Sequence, residues 1–194
     1  MLKMLNIVLF GAPGCGKGTQ AAKLKEKYGI SHVSTGEIIR SEIRSGSELG
    51  KQVAYFIEQG QLAPDEVVTG IIADYVEKNR ECAGNIFDGY PRTTNQAECF
   101  DEILKKHDLK VDVMIYMEVP EEELVQRILL RGKDSGRADD ASEEVIRTRI
   151  ATYRAQTAIV ADHYSAQGKY AAVDGLGTID EVFDRICAVI DAHK

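Results

Sequence analysis

Gly11-Ala12-Pro13-Gly14-Cys15-Gly16-Lys17 has the residue types and spacing of a loop that holds phosphate. Glycines let the backbone turn tightly and bring its N–H groups close to anionic oxygens. Lys17 adds a mobile point charge for outer phosphates. The pattern normally continues with Ser or Thr, whose hydroxyl ligates Mg²⁺; here Gly18 follows, and then Thr19. A direct protein hydroxyl on the metal is therefore not expected. Mg²⁺ usually keeps several waters, so it is expected on substrate phosphates and water with a carboxylate nearby. Cys15 reads as a small filler of the loop; a reactive thiol at a helix N-terminus is the alternative.

A second group lies in Asp88-Gly89-Tyr90-Pro91-Arg92. An acidic residue at a strand end beside a phosphate loop can hold a metal or its water shell. Arg92 can grip a phosphate with two parallel hydrogen bonds. Further along, Arg127 and Arg131 stand four apart on one predicted helix, Arg137 sits in a polar loop, and Arg147 and Arg149 lie on the next helix. Arginines flanking a short loop suggest a lid that closes over anionic substrate and excludes water. Arg147 is read instead as a solvated partner of Glu143 at i,i+4 spacing. His32, His107, His163 and His193 are scattered and read as ordinary surface residues.

These residues need positioning. Apolar runs at Leu5–Phe10, Ile86–Asp88, Val111–Val119 and Lys169–Val173, with a weaker one at His32–Ser34, read as strands. Helical patterns separate them, which predicts an α/β fold with a parallel sheet covered on both faces. A helix is expected from Thr19 to Tyr28. Ser34-Thr35-Gly36-Glu37 has capping-box spacing, so a helix carrying Arg40 should begin there. Ser47–Gly60 and 64–80 read as two more helices, with Pro64, Asp65 and Glu66 suiting a first turn. Val119–Arg131, 142–167 and Ile179–Ala192 are helical, with a polar loop at 132–140.

The 194 residues suffice for one domain with a full core. A net charge of −7 argues against a general nucleic-acid surface, so cations near phosphates must be individually placed. Cys15, Cys82, Cys99 and Cys187 form no C-x-x-C pair, and no histidine stands at ligand spacing from them, which argues against zinc and against a disulfide framework. No signal peptide or membrane-spanning run is read from the sequence, so a reducing cytoplasm is the expectation.

The matching stretches GAPGCGKGTQ at 11–20, STGEIIR at 34–40, SGSELG at 45–50, GQLAPDE at 60–66, DGYPRT at 88–93, RILLRG at 127–132, SGRADD at 135–140 and RTR at 147–149 run from end to end. Through them the chain resembles the adenylate kinases of the nucleoside monophosphate kinase family, in their short-lid form. The resemblance implies a P-loop three-layer αβα fold with a parallel sheet core (1–33, 64–131 and 142–194), a helical monophosphate-binding insertion at about 34–63 and a short lid at about 132–141. It implies reversible transfer of a phosphoryl group from Mg·ATP to AMP, giving two ADP, by a cytoplasmic monomer without zinc, nucleic-acid or membrane partner.

The implied roles follow residue by residue. Gly14, Cys15, Gly16, Lys17, Gly18 and Thr19 would cradle the ATP phosphates, with Lys17 bridging to the transferring group. Arg127 would lie against the ATP adenine, Arg137 on its phosphates and Gly177 against the base. Thr35 and Arg40 would contact AMP, and Gln61, Leu62 and Ala63 would line its site. Gly89, Tyr90, Pro91 and Arg92 would close it across a cis Tyr90–Pro91 bond, with Gln96 reading the base edge. Arg137 and Arg149 would reach both substrates, and Lys17, Arg92, Arg127, Arg137 and Arg149 together form the implied catalytic set. Asp88 would organise Mg²⁺ through water. A UMP/CMP kinase on the same fold is the alternative; Thr35, Thr93 and Gln96 favour AMP, since a glutamine amide donates and accepts at once on an adenine edge. A nucleotide sensor without transfer is a more distant alternative, because it has no use for a second anion site.

Overall fold

A computed structural model describes residues 5–79, 82–140 and 142–193. Its strands β1 (Leu5–Phe10), β2 (Ser31–Ser34), β3 (Gly84–Asp88), β4 (Val113–Glu118) and β5 (Tyr170–Asp174) form one sheet in the order β2-β3-β1-β4-β5. Every pairing is parallel, with Leu9 opposite Asp88 on one side of β1 and opposite Ile115 on the other. The helices are α1 (Lys17–Tyr28), α2 (Thr35–Ser45), α3 (Glu48–Glu58), α4 (Asp65–Lys78), α5 (Thr94–Lys105), α6 (Glu121–Ser135), α7 (Glu143–Thr152), α8 (Val160–Ala166) and α9 (Ile179–Asp191).

The period-2 geometry of a strand sends alternate side chains of β1 to opposite faces. Leu5, Ile7 and Leu9 pack with Leu24 of α1, Ile128 of α6 and Ile186 of α9. Val8 and Phe10 pack on the other side with Ile72 of α4, Phe100 of α5 and Tyr164 of α8. The expected three layers are therefore present. The connection from β1 runs to β2 on one side of the sheet, while those from β3 and β4 run to the other, so the loop after β1 lies where the strand order reverses, the place where open α/β sheets form ligand crevices.

Several local expectations need correction. The first helix begins at Lys17, two residues before the expected Thr19. Pro64 caps α4 from outside instead of entering it, and Arg80, the expected end of that helix, lies outside the described residues. Ser34 does cap α2, accepting from the Glu37 N–H at 3.4 Å. The reciprocal half of the box is missing, because Glu37 turns its carboxylate to Arg40 and Arg137. The helix expected to end at Arg131 runs on to Ser135, and Ala138–Asp140 form a 3₁₀ turn. The loop read at 132–140 is thus mostly structured. Residues 142–167 do not form one helix either: a π-helical turn at Tyr153–Thr157 separates α7 from α8.

Candidate active site

The loop after β1 folds over the N-terminus of α1 with φ values of +139°, +85° and +102° at Gly11, Gly14 and Gly16. These are left-handed conformations that side chains rarely adopt. Gly14 is also pressed from outside: a Cβ there would lie 2.7 Å from the Ile128 side chain. Lys17 Nζ donates to the carbonyls of Gly11 at 2.7 Å and Ala12 at 3.1 Å, and lies 3.5 Å from the buried Cys15 Sγ. The ammonium thus rests on the loop's own carbonyls.

Beside the loop runs a cavity of ≈930 Å³, near the upper end of the usual range for small-molecule sites. Gly14, Cys15, Gly16, Lys17, Gly18, Thr19, Arg127, Arg137 and Gly177 line it, as do Thr35, Arg40, Gln61, Leu62, Ala63, Asp88, Gly89, Pro91, Arg92, Gln96 and Arg149. The structure therefore gathers the sequence-derived residues around one space, with Tyr90 as the exception. The Tyr90–Pro91 bond is cis as expected, but the Tyr90 ring turns into the core 5.2 Å from Phe100. Its hydroxyl donates to the Gln96 carbonyl at 3.1 Å, and burial pushes its pKa up to about 12. Tyr90 supports the wall without lining it.

On the α2–β3 side, the Gly89 carbonyl accepts from Thr35 Oγ1 at 2.9 Å and from Arg92 Nε at 2.7 Å. Gly89 has φ +80°, and a Cβ there would meet both of those side chains at about 3 Å. Gln96 is buried, with its side-chain oxygen accepting from the Arg92 N–H at 2.8 Å and its side-chain nitrogen donating to Asp65 at 2.7 Å. Burial in the wall pulls the proton affinity of Arg92 down; Asp88 counters this, while Arg149 and Arg40 add to it. Three cations thus converge on one region, an arrangement suited to an anion.

On the α6–α7 side, Arg131 makes a two-pronged bond to Asp140 at 2.7 and 2.9 Å. Arg149 donates to the same carboxylate at 2.6 Å and to the Asp139 carbonyl at 3.0 Å. Burial alone would raise the Asp140 carboxyl; Arg131 and Arg149 hold it below the usual range. Arg137 reaches across to Glu37 of α2 at 2.5 Å, and burial with Arg40 and Arg131 nearby lowers its proton affinity. Arg127 is held by Glu123 at 2.7 Å and by the Gly175 carbonyl at 3.3 Å. Arg147 pairs with Glu143 at 2.9 Å, as the i,i+4 spacing predicts.

Asp88 ends β3 beside the loop. A Cβ at Gly18 would sit 3.9 Å from Asp88 Oδ2, so the carboxylate stands next to the position where the usual hydroxyl is missing. Burial by itself would raise the Asp88 carboxyl; His32 and the charges of Lys17 and Arg92 bring it below its ordinary value. His32 Nε2 is 3.7 Å from Asp88 Oδ2, longer than a direct hydrogen bond, and acts through proximity. Sequence reasoning missed His32 as a cavity residue, although parallel pairing of Ser34 with Asp88 brings the two strand ends together. It also counted Arg131 only among the arginines flanking the polar loop and gave it no individual role. Asp65, Asp139 and Asp140 had no local signal. Among the described residues, no group of three or more His, Cys, Asp or Glu is arranged to hold a metal. Among them too, no helix is long and apolar enough to cross a membrane.

A strand, a glycine loop, a helix and a second set of cations across one cavity define a P-loop phosphotransferase. A family model described as adenylate kinase matches residues 9–169. An adenylate kinase of Bacteroides fragilis is 49% identical over 188 residues, covering 97% of this chain and 99% of its own. Adenylate kinases of Bacteroides thetaiotaomicron and Flavobacterium johnsoniae are each 50% identical over the same shares. The chain belongs to the adenylate kinase family and is a nucleoside monophosphate kinase.

Proposed function

We propose that the chain carries out the reversible reaction Mg·ATP + AMP ⇌ 2 ADP. The observation that carries this reading is the pairing of two anion-holding sets across one cavity: the loop with Lys17, and the wall with Arg40, Arg92 and Arg149. In the forward direction a phosphate oxygen of AMP attacks the terminal phosphorus of ATP. The new P–O bond forms as the bond from that phosphorus to the ADP leaving oxygen breaks. The attacking oxygen is already anionic at neutral pH, so no general base is required. Catalysis then rests on position and on charge neutralisation. Lys17 exchanges its loop carbonyls for phosphate, and Arg92, Arg127, Arg137 and Arg149 exchange internal acceptors for substrate oxygens.

Arg127 and Gly177 serve the donor base, and Gly14 to Thr19 its phosphates. Thr35, Arg40, Gln61, Leu62, Ala63, Gly89, Pro91, Arg92 and Gln96 serve AMP. The donor set fits Mg²⁺: a carboxylate, Asp88, beside a loop that carries Gly18 where a hydroxyl is usual suits a cation held mainly by phosphates and water. When bound, the metal neutralises charge on the transferring group. Zinc has no part in the reading. Residues 34–63 form the AMP-binding insertion and 132–141 the lid; the Arg137–Glu37 bond between them supports closure over both substrates. Both substrate sites lie within one chain, which supports a monomer; we place it in the cytoplasm.

The test is ADP production from Mg·ATP with AMP, UMP, CMP and GMP as parallel acceptors. Activity confined largely to AMP is expected. A preference for UMP or CMP overturns the base assignment, and no transfer at all overturns the reaction.

A further inference from the structure

Asp65 opens α4, directly after the 60–63 segment of the cavity wall. Its carboxylate accepts from three neutral donors: Thr93 Oγ1 at 2.8 Å, Asn95 Nδ2 at 3.0 Å and Gln96 Nε2 at 2.7 Å. The other end of the Gln96 amide is also fixed, because Oε1 accepts from the Arg92 backbone N–H at 2.8 Å. A backbone N–H can only donate, and an ionised carboxylate can only accept. Flipping the amide would set NH₂ against the N–H and the oxygen against the carboxylate. Both contacts are repulsive, so the amide has one orientation. The backbone of Gln96 is pinned as well, by Thr93 Oγ1 on its N–H and by Tyr90 Oη on its carbonyl.

A primary amide has two N–H donors and two acceptor sites. Asp65 and Arg92 occupy one of each. What remains, on a residue that is 1% exposed and lines the cavity, is one donor and one acceptor in fixed order. A 6-aminopurine edge offers an amino donor beside the N1 acceptor and complements that order. A 6-oxopurine edge offers an acceptor beside an N1–H donor, which is the inverted pattern. A freely turning amide would serve either edge by flipping. A site that leaves polar groups mispaired rejects the wrong partner strongly.

We propose that Asp65 is a positioning residue that locks the Gln96 amide and thereby selects 6-aminopurine over 6-oxopurine monophosphates as phosphoryl acceptors. The inference rests on the reading of Gln96 as the base-contacting residue. It concerns selectivity between purines, and its effect falls on acceptor binding more than on turnover.

The experiment is equilibrium binding of AMP and of IMP to the full chain by calorimetry, without ATP, alongside kcat and KM for both acceptors. Asp65→Ala is expected to lower the AMP:IMP affinity ratio by about tenfold or more, the scale of one misplaced hydrogen-bond pair. The accompanying rise in KM for AMP exceeds any fall in kcat, and KM for ATP stays put. Asp65→Asn retains one acceptor oxygen but also offers N–H, so it lowers the ratio by a smaller factor. Asn95→Ala removes a different donor from the same carboxylate and leaves the ratio unchanged. If Asp65→Ala does not fold, Asp65→Asn decides alone.

An unchanged ratio in the Asp65 variants, with a collapsed ratio in Gln96→Ala, overturns the proposal and leaves the base reading intact. An unchanged ratio in Gln96→Ala as well overturns that reading and the proposal with it. An equal fall in Asn95→Ala means general loosening of the network and also overturns the proposal.

Discussion

The two walls of the cavity are held in place by different kinds of bond. At the acceptor-base wall, Gln96 is buried and tied through neutral groups and one carboxylate that meets no cation among its hydrogen-bond partners. At the lid wall, Arg131, Arg137 and Arg149 are tied to Asp139, Asp140 and Glu37 by ion pairs. The first arrangement leaves recognition atoms free and already oriented. The second occupies Arg137 and Arg149, which on the proposed reading must exchange internal anions for substrate phosphate. On the proposed reading, base recognition is built before binding, while charge is kept in reserve until phosphate arrives. Lys17, folded onto Gly11 and Ala12, belongs with the reserve.

The largest effect is expected where reserve charge meets the transferring group. Lys17→Met should lower kcat by about 10²–10³-fold, as losing one preorganised donor does in comparable sites. Thermal unfolding should be nearly unchanged, since among the described residues the hydrogen bonds of Lys17 go to its own loop. Wild-type turnover in that variant would remove the loop from the mechanism. Next comes Asp140→Asn, which leaves Arg131 and Arg149 short of a partner. Urea unfolding should show a loss of about 2 kcal/mol, below the full cost of breaking a buried pair because Arg131 is partly exposed.

The same variant carries a pH signature. The Asp140 carboxyl lies below its ordinary 3.8 when folded. A group depressed in the folded state contributes stability above its unfolded pKa and loses it as pH falls through the folded value. The wild-type chain should therefore lose this contribution as pH drops below about 4, and Asp140→Asn should show a shallower acid limb. Parallel acid limbs in the two proteins would mean that the ion pairs add nothing to the lid wall. A smaller effect is expected from Arg131→Lys, which keeps the charge but loses the two-pronged grip on Asp140. Urea unfolding should show a loss of about 1 kcal/mol, the scale of about one hydrogen bond.

Legibility in the sequence divided along similar lines. The strand Leu5–Phe10, the glycine loop and the Asp88–Arg92 segment were readable because each carries its signal within a few residues. Thr35, Arg40 and Gln96 were brought to the cavity only through resemblance, since nothing local marks them as its lining. Asp65 was invisible as a positioning residue because its partners lie 28 to 31 positions away. The extension of α6 through Gly132 had a similar cause. Gly132 is a helix-weakening residue, yet the chain stays helical there with Asp140 packed close enough that a Cβ would lie 2.6 Å from its carbonyl. The ion pair from Arg131 to Asp140 reinforces that contact. Arg131 itself fitted a solvated helix face as well as a cavity wall, because spacing from Arg127 cannot tell the two apart.

The smallest expected effect tests the boundary between the two walls. Glu37 stands on α2, yet a single oxygen, Oε1, accepts from both Arg40 at 2.6 Å and Arg137 at 2.5 Å. The carboxylate is 53% exposed, so the pairs contribute little to stability and are screened by salt. If Glu37 is one of the internal anions that substrate displaces, Glu37→Gln should lower KM for AMP by about twofold at low ionic strength, the scale of an exposed pair. The difference from wild type should vanish in high salt. Small-angle scattering should show a larger contraction on binding a two-substrate analogue, because the ligand-free variant has lost the tie between insertion and lid. A raised KM would assign Glu37 the opposite part. It would then orient Arg40 and Arg137 as Asp65 orients Gln96, and the insertion would belong with the wall that is built before substrate arrives.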